Sequence, residues 1–242
     1  YEVSIDPGNP IFYLESDVLC AHGAARDGGD VALLYIGPAT NVSLPDSVTE
    51  IGPMAFANAS TIDELAIPGS VRHLGGSALA LSEPPRRIIV GLEPAVDGHT
   101  SLELQPPHNE AGLNAVVRMF RTEEIEPWRI MDEMDHVLLN QNDHYLRYRL
   151  MVERLADPLF LGSDMRERFV SFLRDKIWTV CQLFRTRGFV EGFDDLLSTG
   201  VLDNETFTKV IDKATEESDT ALVAQLLQLK QSLRSKEDPF AL

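Results

Sequence analysis

A short sequence segment occurs twice in this chain, and that repetition constrains the fold more than any other feature. LPDSVTEIGPMAF begins at Leu44, and IPGSVRHLGGSAL begins 23 residues later at Ile67 (44 to 67). The copies share apolar, proline, Ser-Val, glycine and alanine positions at the same spacing. A unit this short cannot bury its own apolar side chains, whereas copies stacked in register bury one another's. The repeat therefore predicts that equivalent residues lie side by side.

The residues around the start of each copy alternate between apolar and polar, which is typical of a short strand. Counting the same 23-residue period a second time reaches Ile88 and Val90, so a third strand is predicted there. The predicted inward positions form two columns, Val42 with Leu65 and Ile88, and Leu44 with Ile67 and Val90. The third copy lacks the proline and the Ser-Val that follow the earlier strands, so we expect the array to weaken at this point.

Proline, glycine and aromatic positions of the repeat have separate predicted roles. Pro45 and Pro68 have no amide proton, so they are expected to end the strands. Gly52 and Gly75 are expected to allow a turn with positive φ. Phe56 closes the better-formed copy and is expected in the interior.

Further strands are predicted on both sides of the repeat. Upstream, strands at 18–20 and 31–36 flank a loop that contains Gly28-Gly29-Asp30, which predicts a hairpin. Downstream, the segment SLEL predicts one more strand with Leu102 and Leu104 facing inward. The chain begins YEVSIDPGNP, without methionine, so we expect a part of a longer or processed protein and an open edge at the first strand of the array.

The repeated pattern resembles that of BspA-type bacterial leucine-rich repeat proteins, which reads apolar-Pro-x-Ser-Val-x-x-Ile-Gly-x-x-Ala-Phe. The resemblance covers roughly residues 2–92, and IDPGNPIFYLESDVLCA is similar to the irregular first unit of that family. Asp17-Val18-Leu19 departs from the family's Asp-Gly-Val-Leu at this turn. The resemblance implies a fold of the α+β class, with a leucine-rich-repeat β-solenoid of roughly three to four coils followed by an all-α domain. It also implies a cell-surface or secreted protein, with a cytoplasmic location as the alternative.

The second half of the chain changes to helical spacing, with apolar residues three and four apart. The stretch QPPHNEAG separates the two patterns, so we predict a repeat domain at 1–108 and a helical domain at 109–242. Roughly residues 145–232 resemble the helical region and ankyrin-like hairpin that close many bacterial leucine-rich repeat proteins.

Candidate caps mark the ends of several predicted helices. Ser163, Asp203 and Ser218 each precede an apolar helical stripe and are predicted as N-caps. Gly188 follows such a stripe and is predicted to end a helix.

The formal net charge of −17 opposes binding to the phosphate backbone of nucleic acids and to anionic lipid. The chain has no run of 18 apolar residues, so we expect no membrane insertion. Two interpretations of the acidity stay open, solubility and recognition of a basic partner.

Residue types that could carry chemistry are few and scattered. Cys20 and His22 are two residues apart and lack further ligands at metal spacing, and Cys181 lies in an apolar helix stripe. Asp132 and His136 are four residues apart and share a helix face, which makes an acid–base or metal role conceivable. We predict no catalytic residue, no metal site and no cofactor.

The leading hypothesis is a non-enzymatic interaction module whose strand face binds a protein or glycan partner, a function that the family resemblance also implies. The predicted partner-binding residues are the outward positions of the three strands: Asn41, Ser43, Glu64, Ala66, Arg87 and Ile89. Two alternatives are a structural spacer and cap of a larger protein, with the helices as the cap, and a hydrolase that uses the acidic helix near His136.

Overall fold

The computed structural model describes residues 3–57 and 59–237, and the chain divides into two compact units, Tyr1–Asn140 and Gln141–Leu242. This division lies later in the chain than the predicted boundary between residues 108 and 109, because two helices belong to the first unit. The connection between those helices is bonded to a strand of the same unit, since the Leu74 amide donates to the Glu123 carbonyl at 2.8 Å.

Among the described residues, the strands lie in the first unit and form two sheets. Their bounds are β1 Phe12–Glu15, β2 Val18–Ala21, β3 Asp30–Tyr35, β4 Asn41–Ser43, β5 Val48–Ile51, β6 Glu64–Ile67, β7 His73–Leu74, β8 Arg87–Val96 and β9 His99–Leu104. One sheet has the order β1-β2-β3-β5-β7, and the other has the order β4-β6-β8-β9.

The helices follow the strands along the chain. Their bounds are α1 Glu110–Met119, α2 Pro127–Leu138, α3 His144–Ala156, α4 Ser163–Asp175, α5 Ile177–Arg187, α6 Glu191–Ser198, α7 Asn204–Glu216 and α8 Thr220–Glu237. The first two belong to the first unit and the other six to the second. In the part of the chain that the structure describes, none of these helices has both the length and the apolar composition that a membrane crossing requires.

The register predicted from the 23-residue period is confirmed. Val42 pairs with Leu65, Leu65 pairs with Ile88, and all three side chains are buried. In the second column, Ile67 pairs with Val90, and the Leu44 amide donates to the carbonyl of the residue before Ile67. Strands β4, β6 and β8 are therefore parallel neighbours with their apolar residues in the core.

The predicted leucine-rich-repeat β-solenoid is wrong, although the chain is α+β. Both sheets are mixed, because β1, β2 and β3 pair antiparallel before the parallel series β3-β5-β7, and β8 pairs antiparallel with β9. A solenoid repeats one coil along its length, whereas the parallel series here stop after three strands. The cause lies in the third copy, which has Gly91 where the earlier copies have Pro45 and Pro68. Without a proline, β8 continues to Val96 and turns back into β9.

The glycines of the repeat do not have the predicted conformation. Positive φ occurs at Met54 and Ser77, which are equivalent positions of the two copies, and not at Gly52 or Gly75. A Cβ built on Gly75 would lie 2.3 Å from the backbone nitrogen of Pro53. Glycine is required at this position because two backbones approach too closely for a side chain.

Antiparallel hairpins form the start of the first unit. The predicted hairpin is confirmed as β2 and β3, with Cys20 paired to Ala32. Strand β1 was not predicted, and it joins β2 through Ser16 and Asp17, both of which have positive φ. This two-residue turn forms without glycine, and the Asp17 carboxylate holds the nearby chain by accepting the Ala39 amide at 2.8 Å.

The helix ends in the second unit agree only in part with those predicted from the sequence. Asp203 caps α7 by accepting the Thr206 amide, and Gly188 ends α5 with a left-handed conformation, both as predicted. The predictions for Ser163 and Ser218 are wrong by one residue. Ser163 is the first residue of α4, and Asp219 accepts the amide of Leu222 at the start of α8.

Candidate functional site

The predicted partner-binding residues lie together on the outer face of the β4-β6-β8-β9 sheet. Pairing between strands arranges them in two rows, Asn41 with Glu64 and Arg87, and Ser43 with Ala66 and Ile89. Asn41 and Ser43 are exposed, and the other four are half-buried. We call this set, together with Glu103 of β9, the strand face.

The strand face exists because side chains alternate along each strand. On β6, Leu65 and Ile67 point into the core and are almost completely buried, so Glu64 and Ala66 point outward. The same alternation holds on β8, where Ile88 is buried between two outward residues. A one-residue shift of any strand would bury its polar residues, so the core fixes the position of the strand face.

Three charged side chains form an ion triad at the centre of the strand face. The Arg87 Nη1 atom lies 2.8 Å from Glu64 Oε2, and its Nε and Nη2 atoms each lie 2.8 Å from a carboxylate oxygen of Glu103. The hydrogen bonds to Glu103, and to a smaller extent to Glu64, raise the pKa of the Arg87 guanidinium. Two carboxylates against one guanidinium leave the triad with a net charge of −1.

The triad remains open to solvent, with side-chain exposures of 42% for Arg87, 35% for Glu64 and 47% for Glu103. Ion pairs this exposed contribute little to stability. Their effect is geometric, because the bidentate contact holds the guanidinium in one orientation. The strand face therefore presents a charge pattern that is ordered before any partner binds.

Glu103 was missing from the predicted set, although the sequence contained the signal for it. The prediction that Leu102 and Leu104 face inward is confirmed, since both are buried. Glu103 must then face outward, and its Cα partner on β8 is Ile89. The prediction omitted it because the 23-residue period ends at the third strand and cannot locate an antiparallel neighbour.

A second ion pair flanks the triad at the start of the same strands. Arg86 Nε lies 3.2 Å from Asp63 Oδ1, and both side chains are more than half exposed. This pair adds one positive and one negative charge, so the net charge of the triad and the pair together remains −1.

The acidic helix considered for hydrolysis offers an exposed pair. His136 Nδ1 lies 2.8 Å from the backbone carbonyl of Asp132 and 3.7 Å from its carboxylate, and both side chains are about half exposed. Asp135, which is adjacent in sequence, is buried. Over residues 3–57 and 59–237, no group of three His, Cys, Asp or Glu side chains could hold a metal ion.

A polar cluster that the sequence did not predict lies at the start of the other sheet. The Tyr13 hydroxyl donates to Asp30 Oδ2 at 2.9 Å and lies 3.2 Å from Ser47 Oγ. The Tyr13 ring stacks on His22 at a centroid distance of 4.5 Å, and His22 Nδ1 lies 3.4 Å from the Asp30 carboxylate. The buried side chain of Cys20 lies nearby, on the residue that pairs with Tyr13.

The protonation states of this cluster disfavour nucleophilic chemistry. Burial raises the pKa of the Cys20 thiol to about 11, so the reactive thiolate is scarce at neutral pH. Burial also raises the pKa of the Tyr13 hydroxyl. Cys181, which lies in α5 and outside this cluster, is also buried, and burial raises the pKa of its thiol to about 12. The cluster instead satisfies the hydrogen bonds of the buried Asp30 carboxylate, at the first residue of β3.

Acid is expected to destabilise the first unit through Asp30. Burial raises the pKa of this carboxyl, but hydrogen bonds from the Gly23 amide, Ser47 and Tyr13 outweigh burial and lower the pKa overall. A folded-state pKa below the unfolded value of about 3.9 means that the stabilisation is complete above that value. It is lost as the pH falls through the folded pKa. Urea titrations between pH 2 and pH 7 would measure this loss.

Asp30→Asn should remove this acid dependence and cost about 1–3 kcal/mol at neutral pH, because a charged hydrogen-bond acceptor is lost. The matched control is Asp46→Asn, which removes the same charge from an exposed position. An equal pH dependence in both variants would show that Asp30 is not the responsible group.

Comparisons with known protein families, sequences and structures found no match to this chain. The chain matches no protein-family model, and neither a curated protein sequence nor a solved structure shows significant similarity to it. The resemblance to BspA-type repeat proteins therefore depends on sequence patterns within this chain alone.

Proposed function

We propose that the strand face is a non-enzymatic binding surface for a protein partner that presents basic residues. The observation that carries this proposal is the ion triad of Glu64, Arg87 and Glu103, which has a net charge of −1 and is ordered by hydrogen bonds of 2.8 Å. A positively charged partner would be attracted by the triad and by the net charge of the chain, −17.

The rest of the strand face suits a protein surface. Ala66 and Ile89 form a small apolar strip beside the triad, and Asn41 and Ser43 offer amide and hydroxyl groups at the edge. Protein interfaces commonly combine apolar contacts with hydrogen-bonding and charged groups, and the strand face offers all three. The seven residues of the strand face include no aromatic ring on which a sugar could stack, so a protein is favoured over a glycan.

The test requires variants that keep the fold but change the strand face. The first variant carries Glu64→Lys, Arg87→Glu and Glu103→Lys, which preserves both ion pairs and changes the triad charge from −1 to +1. The second carries Ala66→Gln, which leaves the charge of the triad unchanged and places a longer polar side chain over the apolar strip. The control carries Glu124→Lys, which reverses one exposed charge outside the strand face and changes the net charge of the chain by the same +2.

Each protein is immobilised and exposed to the same cell extract, and the bound proteins are quantified by mass spectrometry and then measured singly by calorimetry. We expect a partner retained by the wild type and by the control to bind the inverted triad about tenfold or more weakly, which is about 1.4 kcal/mol. Its affinity for the wild type should fall as salt increases. Partners that bind the wild type and all three variants equally would contradict the strand face as the binding surface. A wild type that retains no partner would instead favour a structural spacer.

A further inference from the structure

The exposed edge of β1 carries an apolar stripe and outward-facing backbone groups. The His22 amide donates to the Ile11 carbonyl at 2.8 Å, which fixes the hydrogen-bond phase between β1 and β2. Because bonding alternates along an antiparallel pair, Tyr13 and Glu15 also face β2. Phe12 and Leu14 therefore direct their amides and carbonyls away from the sheet.

One of these outward groups already has a partner. The Phe12 amide donates to Asn9 Oδ1 at 2.9 Å. Within residues 3–57 and 59–237, β1 has no strand on its outer side, so the Phe12 carbonyl and the Leu14 amide and carbonyl stay open to strand pairing. An edge with such groups is a template for a further strand.

The side chains beside this edge form a continuous apolar row. Leu14 pairs with Leu19, and Leu19 pairs with Leu34, so one row crosses three strands. Leu34 is 45% exposed and Phe12 is 38% exposed. A strand added to β1 would extend this row if it placed an apolar residue opposite Leu14.

We propose that β1 pairs antiparallel with β1 of a second copy of this chain, about a two-fold axis at Tyr13. This register places Phe12 of each copy opposite Leu14 of the other, so the apolar rows of the two sheets join. The Leu14 amide of each copy then donates to the Phe12 carbonyl of the other, and the Leu14 carbonyl accepts the Phe12 amide in place of Asn9 Oδ1. Glu15 falls opposite Ile11, so no like charges face each other across the new pair.

The choice of a second copy follows from this self-complementarity. A two-fold interface requires a self-complementary segment. On β1, the residue on each side of Tyr13 is apolar, Phe12 before it and Leu14 after it. The pairing is short and each chain has a net charge of −17, so we expect a weak dimer that strengthens with salt. A dissociation constant on the order of 100 µM is expected for so small an interface.

Sedimentation equilibrium of the whole chain between about 10 µM and 1 mM, at low salt and at about 0.5 M salt, tests the proposal. Leu14→Lys should abolish dimers, because it places a charge at the pairing edge. Leu34→Lys is the matched control, since it changes the same apolar row two strands away from the edge and should leave the dimer intact. Equal loss in both variants would indicate association through the sheet face and would overturn edge pairing.

A peptide with the sequence NPIFYLES serves as a probe of the edge. Competition of this peptide with the dimer would support strand pairing. A wild type that stays monomeric to about 1 mM at high salt would overturn the second copy as the occupant. Binding of the peptide to such a monomer would assign the edge to a strand from another protein.

Discussion

Replacing Gly75 with alanine is expected to destabilise the first unit by roughly 1–3 kcal/mol, because the new methyl group has no space. Its Cβ would lie 2.3 Å from the backbone nitrogen of Pro53 and 2.6 Å from the carbonyl carbon of Gly52. Both are backbone atoms of the neighbouring copy, so a side-chain rotation cannot relieve the overlap. The Gly75 amide also donates to the Ile51 carbonyl at 2.7 Å, and separating the two backbones would weaken this bond.

Gly76→Ala provides a matched control one residue away. A Cβ at Gly76 has no heavy atom within 4 Å, and this glycine has no positive φ. The control should change the free energy of unfolding by less than about 1 kcal/mol, and its sign should be stabilising, because alanine restricts the unfolded chain. Equal effects of the two substitutions in urea denaturation would contradict the close approach of the two copies.

Phe56→Ala is expected to cost about 3–5 kcal/mol, as large core truncations do. Phe56 is completely buried, and its amide donates to the Ala78 carbonyl at 2.9 Å. Its ring is stacked with that of Tyr35, with a distance of 6.1 Å between the ring centroids. The lost stability has two parts, the apolar burial of the ring and the cavity that its removal leaves. The cavity cannot close, because strand pairing holds the surrounding backbone in place. Met54→Ala is the control, because Met54 is 57% exposed and should change stability by less than about 0.5 kcal/mol.

Both experiments need a signal from the first unit alone, since two compact units can unfold separately. The sequence contains two tryptophans, Trp128 in α2 and Trp178 in α5. In a Trp178→Phe background, fluorescence reports on α2 and thus on the first unit. A Phe56→Ala midpoint equal to that of the background protein would show that the ring is not part of the core.

The repeat predicted the parallel register because it repeats a physical requirement. Val42, Leu65 and Ile88 must face one core, and a common period of 23 residues is the signal of that requirement. The outward residues follow from the same alternation, so most of the strand face was predictable.

The period could not predict what happens where it ends. Gly91 replaces the proline of the earlier copies, and the strand continues into an antiparallel hairpin that no repeat specifies. That hairpin supplies Glu103, which completes the ion triad. At the other end, β1 depends on a turn with positive φ at Ser16 and Asp17, neither of which is the glycine that usually signals such a turn.

The role of glycine in the repeat was predicted wrongly for a physical reason. Both positive φ and close backbone approach select glycine, and the sequence does not distinguish them. The structure gives positive φ to Met54 and Ser77 and gives the close approach to Gly75. The polar cluster around Asp30 was missed because its members come from separate segments that only the fold brings together.

The proposed surface depends on one claim, that β4, β6 and β8 lie parallel in the register set by the 23-residue period. Nuclear Overhauser effects between selectively labelled methyl groups test this claim directly, because neighbouring strands lie about 4.8 Å apart. We predict cross-peaks from the Leu65 methyl groups to both Val42 and Ile88. Cross-peaks from Leu65 to neither residue, with contacts to Ile89 instead, would place the strands in another register and contradict the strand face.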